Sequence, residues 1–321
     1  MLNAIYAPVK DDLAEVEAGL KTVSQVEPSW LSQLLFHSLE SRGKRIRPAL
    51  VFLSAKFADY NPARLLPMAL AVEVLHTATL VHDDAIDHSA RRRGRPTINR
   101  VWGDDKAVLL GDYMLAKAED LVGDAGDLRV VKLFARTIMT LAAGELGQAF
   151  SAFNLEQSRE QYFARIAAKT SSLITLATES GAILSQAPEK TVAALRDYGY
   201  NLGIAFQVVD DILDFAGNEM EMGKPTGSDL SEGTLTLPAM MIMERYPGDN
   251  PVRRIFKQGE SKPVDINRAT DLVRSSGVID DCYKVASDYA VRAGHCLDGL
   301  PDGPARQALA TLADYVVARR R

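Results

Sequence analysis

The sequence predicts an all-α protein, a single large helical bundle that takes in residues 1–321. Alanine and leucine, which are strong helix formers, are abundant. Apolar residues recur at spacings of three and four, as Leu13, Val16 and Leu20 do near the N-terminus. Clean two-residue alternation bounded by hairpin turns, the pattern expected of β-strands, is missing.

Short breaks rich in Gly, Pro and Asn separate the helical stretches. The apolar residues Leu13, Val16 and Leu20 lie before the first break. Apolar residues at helical spacing recur later in the chain, as at Leu176, Ile183, Leu195 and Leu202. None of the breaks resembles a long Ser- or Pro-rich linker, so no domain boundary is predicted. The breaks lie at 43–48, 60–67, 94–99, 123–126, 187–190, 217–233 and 247–251.

The amino-acid composition excludes several classes of protein. A hydrophobic content of 47% with a net charge of −5 excludes a disordered chain and disfavours a basic nucleic-acid coat, so we expect no nucleic-acid partner. Two cysteines, Cys282 and Cys296, cannot build a disulfide framework, which favours a reducing cytoplasm. We expect no transmembrane segment, because no stretch approaches the roughly 20 uncharged apolar residues that a membrane helix needs. We expect no secretory signal, because acidic residues begin at Asp11.

Two apolar segments each contain the pattern Asp-Asp-x-x-Asp. The aspartates are Asp83, Asp84 and Asp87 in LVHDDAIDH, and Asp210, Asp211 and Asp214 in QVVDDILDF. In a helix, the first and last aspartate of each pattern lie one turn apart on one face, where like charges repel by about 0.2–0.5 kcal/mol. A single acidic run is often only a solvated helix face. Two such runs inside apolar helices indicate a compensating cation, and their oxygen ligands favour Mg²⁺, several ions per site.

Basic residues flank both aspartate patterns. They are Lys44, Arg45 and Arg47 in SRGKRIRP, Arg91, Arg92, Arg93 and Arg95 in ARRRGRPT, Lys169 in AAKTSS, and Lys224 in MGKPTGSD. Guanidinium groups and lysines bind phosphate oxygens. A basic run taken alone also fits nucleic-acid binding. In an acidic chain whose basic clusters flank acidic ones, two diphosphates held by metal and cations fit better.

These motifs, in this order, resemble those of the trans-isoprenyl diphosphate synthase (polyprenyl synthetase) family, from about Gly43 to Pro238. The resemblance implies an isoprenoid synthase bundle with a central prenyl cavity. It also implies a Mg²⁺-dependent enzyme that joins isopentenyl diphosphate head-to-tail to an allylic diphosphate, through ionisation, condensation and elimination. We expect the departing diphosphate to accept the proton, because no side chain is an obvious base. The family also implies a homodimer.

The resemblance assigns roles to matching residues. Asp83, Asp87 and Asp210 bind the Mg²⁺ ions that hold the allylic diphosphate, and Asp84, Asp211 and Asp214 are further acids of the metal site. The same diphosphate contacts Arg92, Lys169 and Lys224. Isopentenyl diphosphate contacts Lys44, Arg47, His76 and Arg93. Thr170 and Gln207 lie near the carbocation.

The sequence departs from the family pattern at two positions. Arg42 replaces the first glycine of the family's GGKR loop, and we expect little change because Gly43 and Lys44 remain. Thr234, in SEGTLTLP, occupies the position where the family often has a lysine. One diphosphate-binding cation is therefore missing, and its role is supplied elsewhere or dispensed with.

Residues one and two turns before Asp83 predict the product length. Leu75, Ala78 and Thr79 would line the wall below the metals, each turn adding about 5.4 Å of depth. Short-chain relatives tend to have an aromatic or inserted residue here, whereas Ala78 and Thr79 are small. We therefore predict a polyprenyl product longer than farnesyl, which has to leave toward a membrane or a carrier, with transient membrane contact.

Other readings stay open. A farnesyl or geranylgeranyl diphosphate synthase is one, since bulky residues elsewhere, such as Phe52, Phe134 or Met139, could form a deeper floor. A catalytic subunit of a heteromeric synthase is another. A class I terpene cyclase shares the metal chemistry, but it usually carries one such aspartate pattern and does not need GKRIRP. A non-catalytic subunit is expected to lack intact aspartates.

Overall fold

The structure, a computed structural model, describes residues 2–40, 43–217, 226–259 and 262–319. It consists almost entirely of α-helices, as predicted. In the N-terminal part these are α1 (Leu2–Ile5), α2 (Lys10–Ser24), α3 (Ser29–Leu39), α4 (Ile46–Ala55), α5 (Pro62–Ile86), α6 (Ile98–Trp102), α7 (Asp104–Asp124) and α8 (Leu128–Phe150). A 3₁₀ turn at Ala7–Val9 joins α1 to α2.

The C-terminal part continues with helices and one π-helical turn. The helices are α9 (Arg159–Ile166), α10 (Ser172–Leu184), α11 (Glu189–Ala216), α12 (Ser228–Ser231), α13 (Leu237–Arg245), α14 (Pro251–Gln258), α15 (Pro263–Ser275), α16 (Val278–Cys296) and α17 (Pro304–Ala318). The π-helical turn, Ala167–Ser171, lies between α9 and α10.

The backbone forms two compact units, each assembled from separate parts of the chain. The first contains Met1–Thr137, Leu173–Gly199 and Leu297–Thr311. The second contains Ile138–Ser172, Tyr200–Cys296 and Leu312–Arg321. The assignment of the whole chain to a single domain stays a prediction.

In the first unit, α5 is the central helix. It begins at Pro62, whose fixed φ suits a first helical position, and the Asn61 side chain caps it by accepting from the Ala63 N–H. It packs along α7 and α4. The small side chains of Ala71 and Ala78 are fully buried on it and let neighbouring helices approach closely.

Helix α5 is long and apolar enough to span a membrane by length and composition, which corrects the expectation that no stretch comes near that composition. In the structure, 67% of its most apolar window is buried inside the protein. A buried core helix has the same composition as a membrane span. The burial therefore accounts for the apolar sequence of α5.

The second unit has its own apolar core. The C-terminal half of α11 contributes Val208, Ile212 and Phe215, all fully buried, against side chains from α13 to α16. A Cβ at Gly203 would lie 2.4 Å from the Ser171 Cα atom, so only glycine lets α11 pack this closely against the π-helical turn. The turn is thereby fixed by the helix that carries the second aspartate pattern.

One short β-hairpin interrupts the helices, in the basic segment after α5, where no hairpin is expected from the sequence pattern. Strands β1 (Arg91–Arg92) and β2 (Arg95–Pro96) pair antiparallel, with Arg92 opposite Arg95. The two turn residues both have positive φ, 50° at Arg93 and 80° at Gly94, as a type I′ turn requires. Arg93 is therefore held in a defined backbone conformation at the tip of the hairpin.

Candidate active site

Both aspartate patterns lie at the C-terminal ends of helices. Asp83 and Asp84 are in the last turn of α5, and Asp87 is its C-cap, with its N–H donating to the Asp83 carbonyl at 2.8 Å. Asp210 and Asp214 are in the last two turns of α11. A helix C-terminus carries partial negative charge, so carboxylates there are destabilising unless a cation offsets them. The position strengthens the case for cations at both patterns.

In the first unit, Asp84 is buried and Arg92 neutralises it. The Arg92 Nε donates to both carboxylate oxygens, at 2.8 and 2.9 Å. Burial raises the pKa of Asp84, and Arg92 acts against that shift. Asp83 is half-buried and Asp87 is exposed. The carboxylates of Asp83 and Asp87 are therefore accessible to a ligand, whereas that of Asp84 orients Arg92.

The first unit also brings together the residues predicted to hold isopentenyl diphosphate. His76 is partly buried, and its pKa lies well below the ordinary value because of burial and then the positive charges of Arg47, Arg93, Arg92 and Arg45. Four guanidinium groups therefore lie close enough to His76 for their charges to disfavour its protonated form. The loop that carries Lys44 is tied down by Tyr6, whose hydroxyl donates to the Lys44 carbonyl at 2.6 Å. Such a cluster suits a polyanion.

Within this arginine cluster (Arg45, Arg47, Arg92 and Arg93), two carboxylates bind Arg45, and the sequence patterns predicted neither. Glu17 accepts from the Arg45 Nε and Glu73 accepts from the Arg45 Nη1, both at 2.6 Å. The one signal in the sequence was Glu73 itself, a charged residue within an apolar helical stretch.

In the second unit, the π-helical turn carries Lys169 and Thr170. A π-helical turn within a helix is rare and frequent at functional sites. The Thr170 hydroxyl donates to the Gln207 Oε1 at 2.5 Å, and the Gln207 Nε2 donates to the Asp211 Oδ1 at 2.8 Å. Thr170 and Gln207 are therefore in contact, and their hydroxyl and amide oxygens form one connected network with the second aspartate pattern.

Tyr162, on α9, completes this network and was not predicted. Its hydroxyl donates to the Asp211 Oδ2 at 2.7 Å, and Tyr162 and Asp211 are both buried. Burial and the neighbouring Asp229 raise the pKa of Asp211 to about 7, although the hydrogen bonds from Tyr162 and Gln207 favour its ionised form. Both oxygens of Asp211 thus bind protein groups.

Asp214 and Asp210 differ in their partners. Asp214 accepts from the Ser228 hydroxyl at 2.7 Å and from the Asp229 N–H at 3.3 Å, so it anchors α12. Asp210 is partly exposed and pairs with Arg319, whose guanidinium lies 4.7 Å from the centre of the Phe206 ring. Of the three aspartates of the second pattern, Asp210 has the carboxylate most accessible to a ligand.

Two further cations lie in the second unit. The Lys169 Nζ is 3.0 Å from the Glu145 Oε1. Arg165 donates to the Leu235 carbonyl at 2.5 Å, directly after Thr234. A guanidinium therefore lies beside the position where the family often has a lysine. Glu145 and Arg165 were not predicted, because they lie far from their partners in the sequence. Lys224 lies outside the described residues.

The predicted chain-length residues lie on α5. Leu75 and Ala78 are fully buried, and Thr79 is half-buried, with its hydroxyl donating to the His76 carbonyl at 2.8 Å. Of the three bulky residues considered as a deeper floor, Phe52 and Phe134 are buried, whereas Met139 is exposed.

The carboxylates of Asp83, Asp87 and Asp210 fit Mg²⁺. Each is an oxygen ligand accessible from the surface, at the negative end of a helix. Mg²⁺ in proteins is commonly held by one or two carboxylates and by substrate phosphates. Within residues 2–40, 43–217, 226–259 and 262–319, no group of three or more His, Cys, Asp or Glu side chains is arranged to hold a metal ion by itself. The metal-site assignment of all six aspartates stays a prediction.

Comparison with known proteins defines the class. Residues 28–273 match the polyprenyl synthetase family. The chain is 37% identical to heptaprenyl diphosphate synthase component 2 of Geobacillus stearothermophilus, over 99% of both proteins. The crystal structure of a decaprenyl diphosphate synthase from Rhodobacter capsulatus matches with a TM-score of 0.92 and 37% identity, covering 100% of both chains.

A third relative was crystallised with ligands. It is the polyprenyl synthase of Caulobacter crescentus CB15, solved with calcium and isoprenyl diphosphate, which matches with a TM-score of 0.95 and 34% identity over 100% of this chain and 98% of that one. The protein belongs to the polyprenyl synthetase family. The predicted family, the all-α fold and the enzyme class are confirmed.

Proposed function

We propose that this enzyme condenses isopentenyl diphosphate head-to-tail with an allylic diphosphate and releases an all-trans polyprenyl diphosphate longer than farnesyl. The observation that carries the proposal is the pair of aspartate patterns at helix C-termini, together with an arginine cluster near His76 that contacts the first pattern through Arg92. Two anion-binding regions suit a reaction with two diphosphate substrates.

Asp83, Asp87 and Asp210 would hold the Mg²⁺ ions, and Arg92, Lys169 and Lys224 would bind the allylic diphosphate. Bound Mg²⁺ supplies electrophilic stabilisation of the departing diphosphate. Asp84 keeps the Arg92 guanidinium in place. Asp211 and Asp214 act mainly through protein contacts, since Asp211 receives Tyr162 and Gln207, and Asp214 receives Ser228.

The remaining predicted residues bind the second substrate and stabilise the carbocation. Lys44, Arg47, His76 and Arg93 bind isopentenyl diphosphate and place its double bond for attack on the allylic carbon. The Thr170 and Gln207 oxygens, fixed by their mutual hydrogen bond, stabilise the allylic carbocation as the carbon–oxygen bond breaks. The proton lost from the adduct passes to the departing diphosphate. Apolar side chains exclude water from the carbocation.

The small, buried Ala78 on α5 supports a long product. The names of two relatives, a heptaprenyl and a decaprenyl diphosphate synthase, also support one. The experiment is to incubate the purified chain with Mg²⁺, isopentenyl diphosphate and farnesyl diphosphate, and to size the dephosphorylated products. Products longer than farnesol support the proposal. No elongation, or cyclic hydrocarbons, would overturn it.

One relative is named component 2 of its synthase, which favours a second candidate function for this chain, the catalytic subunit of a two-component enzyme. The same assay separates the two. Elongation by the purified chain alone supports the single-component enzyme. Activity that appears only when a cell extract of the source organism is added supports the two-component enzyme.

We also propose a cytoplasmic homodimer. Helix α7 exposes Val108, Leu109 and Tyr113, and Leu109 and Tyr113 lie four residues apart on one face. A second copy covering this face would bury it. Light scattering after size exclusion should give twice the mass of 35.0 kDa. Leu109→Asp should convert the dimer to a monomer, and cell fractionation should find the protein in the soluble fraction.

A further inference from the structure

Glu73 lies beside Arg45 and Arg93 in the arginine cluster, and Arg93 is one of the residues that we assign to isopentenyl diphosphate. We propose that Glu73 is a positioning residue of this site, which fixes the guanidinium groups of Arg45 and Arg93 so that Arg93 stays directed at the diphosphate. The inference rests on the proposed function and adds a residue to which no role has been assigned.

The burial of Glu73 calls for an explanation. Its side chain is 6% exposed in the middle of α5, between the fully buried Val72 and Val74. Burying a carboxylate is strongly unfavourable unless it is paired and hydrogen-bonded. A purely structural helix would gain stability from an apolar residue here. The charge of Glu73 is therefore tied to the cations that it contacts.

The first of these cations, Arg45, is saturated by protein groups. Its Nε donates to Glu17 at 2.6 Å, its Nη1 to Glu73 at 2.6 Å, and its Nη2 to the Leu39 carbonyl at 3.4 Å. Its side chain is 9% exposed. In the segment GKRIRP, Arg45 thus joins the loop to α2 and α5, while Lys44 and Arg47 on either side are the residues assigned to substrate.

The second cation is Arg93, whose side chain extends from the β-hairpin toward Glu73 and Arg45. A Cβ built on Gly43 would lie 3.1 Å from the Arg93 Nη1, 3.4 Å from the Glu73 Oε1 and 3.5 Å from the Arg45 Nη1. The two guanidinium groups and the carboxylate therefore converge at Gly43. Burial lowers the pKa of Arg93, and the negative charge of Glu73 opposes that shift.

This geometry gives Glu73 a specific task. Arg45 and Arg93 carry like charges and repel each other, and Arg47 and Arg92 add to the positive potential around His76. Glu73 is the buried carboxylate between Arg45 and Arg93. Without its charge, Arg93 is expected to swing toward solvent when no substrate is bound, so that isopentenyl diphosphate has to reorder it on binding.

The test is Glu73→Gln, which keeps the shape and removes the charge. We expect the KM for isopentenyl diphosphate to rise about tenfold, as losing a residue that supports a ligand-binding group commonly does. We expect the KM for the allylic diphosphate to stay within about twofold and kcat to change less than the KM for isopentenyl diphosphate. Calorimetric titration with isopentenyl diphosphate alone should show the same loss of affinity.

Glu17→Gln is the matched control, because it removes the other carboxylate on Arg45, at the more exposed end. It should leave the KM for isopentenyl diphosphate within about twofold of the wild type. An equal effect of the two variants would overturn the role of Glu73 at Arg93, and so would a Glu73→Gln enzyme whose two KM values rise together.

Stability and the proposed function are tested separately. Thermal unfolding reports whether Glu73→Gln folds, and if it does not, Glu73→Asp carries the test. Aspartate keeps the charge but is shorter, so a several-fold rise in the KM for isopentenyl diphosphate alone is expected, and an unchanged value overturns the inference. If the wild-type chain does not elongate an allylic diphosphate at all, the proposed function itself has failed.

Discussion

The Arg319 Nη2 lies 3.3 Å from the Asp210 Oδ1, so a guanidinium lies against a carboxylate that we assign to Mg²⁺. Arg319 is held there by the Phe206 ring and is 16% exposed. A cation at this carboxylate competes with a metal ion for the same negative charge.

Replacing Arg319 with Gln should therefore tighten Mg²⁺ binding. We expect the dissociation constant to fall about twofold to fivefold, the range of a partly exposed ion pair. Isothermal titration of the substrate-free protein with MgCl₂ measures it. Arg306→Gln, which removes an arginine paired with Asp302 instead, is the control and should change nothing. An unchanged constant in Arg319→Gln means that the pair does not compete with metal.

Asp84 and Asp87 should respond differently to amide substitution. Asp84→Asn loosens Arg92, so the KM for the allylic diphosphate should rise about tenfold while the Mg²⁺ concentration for half-maximal rate changes little. Asp87→Asn removes an accessible oxygen ligand, so it should raise the required Mg²⁺ concentration. Steady-state kinetics at varied Mg²⁺ separate the two. Equal metal dependence in both variants would place Asp84 among the metal ligands.

His76 should make stability depend on pH. Its pKa in the folded protein is well below the 6.5 expected of the unfolded chain, because burial and the arginines disfavour the imidazolium. The unfolded chain therefore binds the extra proton first. Stability is fully present above pH 6.5 and is lost as the pH falls below it toward the folded pKa.

Thermal unfolding from about pH 7.5 to 5 measures this loss. His76→Gln should lose less stability over that range than the wild type does. In NMR titrations the His76 signal should stay that of a neutral ring at pH 6.5, and inorganic pyrophosphate should raise its pKa. A normal titration of His76 in the free protein contradicts the prediction.

Ala78→Phe should shorten the product. Ala78 is fully buried one turn before Asp83, and a phenyl ring there would fill space that a growing prenyl chain needs. Overpacking a core position costs about 1–3 kcal/mol, so the midpoint of unfolding has to be measured alongside. A folded variant that still makes the wild-type chain length would show that Ala78 is only a helix contact.

Much of the fold could be predicted from local sequence. The spacing of apolar residues marks the long helices, and the repeated Asp-Asp-x-x-Asp pattern marks both acidic helix ends. Repulsion between carboxylates one turn apart was a sufficient argument for a cation. The hairpin at Arg91–Pro96 was missed because its strands are two residues long, too short for alternation to show.

The supporting contacts could not be predicted, because they join distant parts of the chain. Tyr162 reaches Asp211 across 49 positions, and Arg165 reaches Leu235 across 70. Nor does the segment GKRIRP reveal that Arg45 turns inward while Lys44 is exposed. That difference depends on the left-handed backbone at Arg45, with φ of 51°. Such orientations are set by packing rather than by local residue preference.

The π-helical turn at Ala167–Ser171 has a genetic consequence. Such a turn contains one residue more than an α-helix of the same length, and inserting one codon into a helical gene segment is the simplest way to create it. Deleting one residue there would restore α-helical geometry and leave the residues on either side facing as before, because the wide turn takes up the extra residue. Tyr162 would still reach Asp211, whereas the backbone that carries Thr170 toward Gln207 would change. A single-codon deletion in this segment should therefore leave the protein folded and impair the reaction.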